Sequence, residues 1–96
     1  MFILLTYDID LSDGGKNLRK VAKICEQYGI RVQNSVFEME IDSAELTSLK
    51  NSLENVLNLL TDSVRIYRIG KMETVKIDII GKEKKIELSK DNAFFF

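Results

Sequence analysis

At 96 residues, with 45% hydrophobic content and a formal net charge of −1, the chain is long enough for one small domain and too apolar to stay unfolded. It holds no histidine and one cysteine, Cys25, which excludes histidine acid–base chemistry, histidine or cysteine zinc sites and internal disulfides. No apolar run reaches the ~20 residues of a membrane span, no basic region precedes the first apolar stretch as in a secretion signal, and a lone thiol fits a reducing, cytoplasmic setting.

The opening "FILLTYDID" reads as a strand over residues 2–9. Phe2 and Leu4 fall on one face; Ile3, Leu5 and Tyr7 fall on the other. Both faces are apolar, so both need cover, and a single helix layer covers only one. The strand ends on Asp8. An acid there suits a turn, or it is a metal ligand. Without histidine, a metal here is held by oxygen, which favours Mg²⁺ or Mn²⁺. Asp10 reads as a solvated loop acid.

"SDGG" at 12–15 is a turn leading into a helix over 16–28. Leu18, Val21, Ala22 and Cys25 form its apolar stripe, and Gly29 is placed to terminate it. The helix carries Lys16, Arg19, Lys20 and Lys23 against Glu26 alone. Such a charge run is either a solvated face or a stripe that follows duplex phosphates. "IRVQNSVFEMEI" (30–41) is extended, and its alternation changes phase between Val32 and Phe37. A bulge or a tight reversal at Gln33-Asn34-Ser35 is required, giving one bent strand or two short ones. Ser35 has no histidine to activate it, which argues against a nucleophile.

Asp42 and Glu45 have capping-box spacing at the start of a second helix, with Leu46, Leu49, Leu53, Val56 and Leu60 as its buried stripe. "SVRIYRIG" (63–70) is a further strand and "TVKIDIIG" (74–81) a shorter one. Val75, Ile77 and Ile79 alternate there with Lys76, Asp78 and Ile80, as in a half-buried edge strand. The domain spans 1–81, and 82–96 is a polar tail ending in "AFFF". The order is β-α-β-β-α-β, the ferredoxin-like split βαβ arrangement of an α+β fold. One sheet face is left bare, and a second copy of the chain is its simplest cover.

Three segments, "TYDI" (6–9), "LRKVAKICEQYGIRVQNSVFE" (18–38) and "VRIYRIG" (64–70), together resemble the CRISPR-associated protein two family, small partners of the CRISPR integrase also called CRISPR-associated endoribonucleases. The resemblance covers residues 2–81. It implies a homodimer in which the C-terminal strand is exchanged, and a role in CRISPR adaptation: binding duplex DNA and bridging integrase subunits during spacer acquisition. It also implies Mg²⁺-dependent (or Mn²⁺-dependent) endonuclease activity, on single-stranded RNA or on DNA. Asp8 takes the place of the family's metal-binding, catalytic aspartate. Arg19 and Arg31 match its arginines, among nucleic-acid-binding candidates that include Lys16, Lys20 and Lys23. Ser35 and Phe37 belong to its structural "SVF" motif. A second arginine carried by some relatives falls here on Val21, and "SKDNAFFF" matches no family pattern.

A dimer axis would bring two copies of Asp8 together. Carboxylates ~4 Å apart repel by about 4 kcal/mol at an effective dielectric of ~20; a divalent cation between them removes that repulsion, or one of the two stays protonated as in a dyad. The ligand set is thin for a nuclease, which favours a structural DNA-binding adaptor as the main role. A small-ligand regulatory ferredoxin-like domain, hinted at only by "SDGG", is the remaining alternative.

Overall fold

Alternating apolar residues on a chain that also carries two amphipathic stripes can close only as helices laid on one side of a sheet. The computed structural model describes residues 1–81 in that form. The elements in order are β1 (Phe2–Asp8), α1 (Lys16–Glu26), β2 (Ile30–Gln33), β3 (Val36–Glu40), α2 (Ser43–Val56) and β4 (Ser63–Gly70), followed by one 3₁₀ turn at Met72–Thr74. The sheet order is β2-β3-β1-β4, and every pairing is antiparallel. This is the expected α+β ferredoxin-like architecture.

β1 is the central strand, with β3 on one side and β4 on the other. Its residues Ile3, Leu5 and Tyr7 pack with Val21 and Cys25 of α1, Phe37 and Met39 of β3, and Leu46, Leu49 and Leu53 of α2. Each large apolar side chain buried there contributes roughly 1.5–3 kcal/mol. The other face of β1 presents Phe2, Leu4, Thr6 and Asp8. Their neighbours across the sheet are Glu40, Glu38 and Val36 on one side and Tyr67, Arg65 and Ser63 on the other. Both helices pack on the Leu5 side, so among the described residues this second face has no helix over it, and Tyr67 is 45% exposed.

The expected capping box is present: the Asp42 carboxylate accepts the Glu45 N–H at 2.7 Å, and Glu45 Oε1 accepts the Asp42 N–H at 3.1 Å. The open question at Gln33-Asn34-Ser35 resolves into two strands joined by a turn at Asn34 and Ser35. Among the described residues no non-glycine residue adopts positive φ, so this is not the left-handed turn that matches strand twist. A register shift between Arg31 and Gln33 absorbs the mismatch.

Four expectations need correction. β1 stops at Asp8 and α1 at Glu26, short of the expected 9 and 28. Gly29 does not end α1 by a left-handed turn, since its φ is not positive. A Cβ on it would lie 2.4 Å from the Glu38 carbonyl oxygen, so glycine is there to let the α1–β2 connection press onto β3. Leu60 is not in the α2 stripe: the helix ends at Val56 and Leu60 is 95% exposed. Among the described residues, 75–80 form no strand and β4 bonds only to β1, and Ile77, Ile79 and Ile80 are exposed. A ladder needs a second strand, and none of the described residues pairs with the segment. The expected tail at 82–96, including Phe94–Phe96, lies outside the described residues.

The clash at residue 29 is with backbone, which cannot rotate away. Gly29→Ala is expected to cost about 2–3 kcal/mol, as overpacking does, lowering the thermal midpoint by roughly 10–20 °C for a domain of this size. Circular dichroism melting checks it; a shift below about 2 °C would show that the connection has room to give.

Candidate active site and nucleic-acid face

Four aspartates gather where β1 leaves the sheet, and hydrogen bonding separates them. Asp13 accepts the N–H groups of Gly15, Lys16 and Asn17 at 3.0–3.1 Å, spending its carboxylate on the first turn of α1. Those bonds, the one from Asn17 first, hold its carboxyl below the usual range. Asp62 accepts the N–H of Asp10 at 2.8 Å and that of Asn58 at 2.9 Å. Partial burial pushes its carboxyl up, but these bonds outweigh it and the net direction is down. Asp10 accepts the Ser12 hydroxyl. Asp8 is exposed at the last rung of the β1–β4 ladder, opposite Ser63. No hydrogen bond or ion pair engages its carboxylate among the described residues.

Asp8 is therefore not the desolvated acid expected of a doubly buried strand. The strand's apolar face ends before it, and Asp8 stands at the solvent edge with both oxygens open. Magnesium binds through one or two carboxylates, keeping several waters and accepting substrate phosphates. An open carboxylate fits that mode as a single ligand. No group of three or more acidic, cysteine or histidine side chains among the described residues could cage an ion, so one chain supplies one ligand.

The buried polar groups nearby do not serve as nucleophiles or bases. Burial pushes the Cys25 thiol up to about 12 and the Tyr7 phenol up to about 12, so both are neutral near pH 7. The Tyr7 hydroxyl donates to the Asn34 carbonyl at 3.0 Å, and the Tyr7 N–H donates to the Ser35 carbonyl at 3.2 Å. Ser35 thus holds the β2–β3 turn against β1 through its backbone.

Arg31 departs from expectation. It is 1% exposed, bonded to Glu26 Oε1 at 3.1 Å, with its guanidinium 5.4 Å from the centre of the Phe37 ring. Phe37 in turn lies 6.2 Å from the Tyr7 ring. Arg31 falls opposite Phe37 on the helix-covered side of the sheet, so its charge is used inside the fold and does not reach a phosphate in this conformation. Lys16, Arg19, Lys20 and Lys23 all lie exposed on α1. Their i, i+3, i+4, i+7 spacing puts them on one helix face, opposite buried Val21, Ala22 and Cys25. Arg19 also donates to the Gly14 carbonyl at 3.2 Å. The "SDGG" turn does not present its N–H groups to a ligand, because Asp13 occupies them. Asp62 escaped the sequence reading; "TDS" before a strand marks a turn, but not which donors it meets.

The sequence profile of the family described as CRISPR associated protein Cas2 matches residues 1–77. The chain is 50% identical over 90 residues to the CRISPR-associated endonuclease Cas2 of Halalkalibacterium halodurans, covering 92% of this chain and 94% of that one. It is 42% identical over 88 residues to the CRISPR-associated endoribonuclease Cas2 3 of Rhodospirillum rubrum, covering 90% and 93%. The crystal structure of Streptococcus pyogenes Cas2 at pH 6.5 superposes with a TM-score of 0.73 at 42% identity, covering 84% of this chain and 100% of that one. With the resemblance in three segments now extended over most of its length, the chain belongs to the CRISPR-associated protein Cas2 family.

Proposed function

We propose that this chain is a nucleic-acid-handling component of CRISPR adaptation with a Mg²⁺-dependent or Mn²⁺-dependent phosphodiesterase centre at Asp8. The observation that carries the reading is the state of the aspartates: Asp10, Asp13 and Asp62 are engaged by hydrogen bonds, and Asp8 is open and exposed at a strand end. The names of the relatives support nuclease chemistry, since they are called endonuclease or endoribonuclease. Asp8 would hold the ion, which supplies positive charge against a phosphodiester and a water of lowered pKa. One carboxylate per chain is a thin ligand set. Two copies meeting through the Phe2–Leu4–Thr6 face would bring a second Asp8 to the same edge, and the isoleucines of 75–80 would then find a sheet edge on the partner.

The α1 stripe is the proposed contact to duplex DNA, through phosphates and not base edges. Lys16, Arg19, Lys20 and Lys23 provide the charge; Arg31 does not belong to this set, because its guanidinium is interior. Bridging of integrase subunits rests on family membership and extends the same reading: a dimer offers two equivalent surfaces and a doubled cationic stripe.

Asp8→Asn removes the proposed ligand without touching the stripe. Mg²⁺-dependent cleavage of single-stranded RNA or duplex DNA is expected to fall at least about 100-fold, with duplex affinity within about twofold of the parent. Cleavage by the purified variant at the parent rate would move the activity to another site.

Replacing Lys16, Arg19, Lys20 or Lys23 singly by Ala is expected to weaken duplex binding about equally across sequences. Each lost phosphate contact should reduce the slope of log affinity against log salt by ~1. Loss confined to one duplex sequence would instead indicate base readout.

A further inference from the structure

We infer that Asp62 is the positioning residue for Asp8: its carboxylate replaces the next rung of the β1–β4 ladder and fixes where the strand end points. This rests on the reading of Asp8 as a metal ligand. The ladder between the two strands ends at the Asp8–Ser63 pair. One residue on, Ile9 turns back into the core and is 7% exposed. At the next residue the Asp10 N–H would have met a carbonyl had β4 begun earlier; it meets Asp62 Oδ1 at 2.8 Å instead. Asp8 is thus held on one side by sheet hydrogen bonds and on the other by a buried isoleucine and a tied backbone.

The tie is itself anchored. The other Asp62 oxygen accepts the Asn58 N–H at 2.9 Å, and the Thr61 hydroxyl adds a contact at 3.3 Å. The Asn58 carbonyl accepts the N–H groups of Asp62 at 2.8 Å and Thr61 at 3.1 Å, while the Asn58 side chain accepts the Leu60 N–H at 3.1 Å. Asn17 of α1 donates to the Val56 carbonyl at 2.9 Å, joining the start of α1 to the end of α2. The β1–α1 and α2–β4 connections are therefore locked together behind the strand end. With its oxygens given to backbone donors, Asp62 is poorly placed to be a ligand itself; it acts through Asp8. Groups that orient a metal ligand change metal affinity by about 10–100-fold when removed, and a backbone-mediated tie should fall at the lower end.

Asp62→Asn is isosteric but turns an N–H donor toward one of two backbone donors, so it breaks the tie without opening a void. Three readouts are taken on the intact protein: amide exchange at Asp10 by NMR, line broadening around Asp8 on titration with Mn²⁺, and the Mg²⁺ concentration giving half-maximal cleavage. The variant is expected to fold, to exchange the Asp10 amide about tenfold faster, and to need about 3–10-fold more Mn²⁺ and Mg²⁺ for the same response. Asp62→Glu, which keeps the charge and both acceptors, is expected to recover part of each shift; if Asp62→Asn does not fold, the Glu variant alone must show a smaller shift in the same direction. Wild-type protein without Mn²⁺ broadening at Asp8 overturns the metal reading and this inference together. Broadening whose midpoint neither variant moves overturns the positioning role alone.

Discussion

β1 is hydrogen-bonded along both edges, and the two-residue period of an extended strand sends alternate side chains to opposite sides of the sheet. Ile3, Leu5 and Tyr7 go to the side where α1 and α2 close the core; Phe2, Leu4, Thr6 and Asp8 go to the side that neither α1 nor α2 covers. A slip of one residue in either ladder would exchange the two sets, leaving Ile3 and Leu5 on the open side and Asp8 against the core. The placement of the candidate ligand and the integrity of the core are thus one constraint.

That register is defended from the flank. Arg31 lies between Glu26 and the Phe37 ring, linking the end of α1 to the β2–β3 hairpin, and Gly29 allows the connection to approach Glu38 closely enough for the link to form. Phe37 stands opposite Leu5 in the β1–β3 ladder, so the guanidinium, the ring and the central strand hold one another in place. A buried ion pair is weak evidence of net stability, and its clearer consequence here is geometric. On the other flank the Asp62 tie performs the equivalent task at the strand's end.

Periodicity carried much of the architecture. The stripe Leu18–Val21–Ala22–Cys25 and the Asp42–Glu45 capping box made both helices readable, and the phase change between Val32 and Phe37 announced the hairpin. What escaped depended on where the elements end and how they fold against one another. Arg31 looked like a surface cation because its cover, Glu26 and Phe37, is assembled only by the fold. Gly29 looked like a helix terminator because the carbonyl it must clear belongs to another strand. Leu60 continued a helical pattern, but the helix itself stops at Val56. Asp8 was readable as a candidate from its place in "TYDI", but not its exposure, and Asp62 was silent because its donors lie on the Asp10 backbone and in its own turn. The alternation at 75–80 was legible, whereas among the described residues no strand pairs with it.

In the proposed reading the apolar face of β1 meets a second copy, which makes Asp8 one half of a shared site. Sedimentation equilibrium at micromolar concentration, on the parent and on Leu4→Glu, tests it most directly. The expected parent mass is twice the 11.0 kDa chain, and Leu4→Glu is expected to be folded, at the monomer mass and without Mg²⁺-dependent cleavage. A parent that sediments as monomer yet cleaves in an Asp8-dependent way would contradict it.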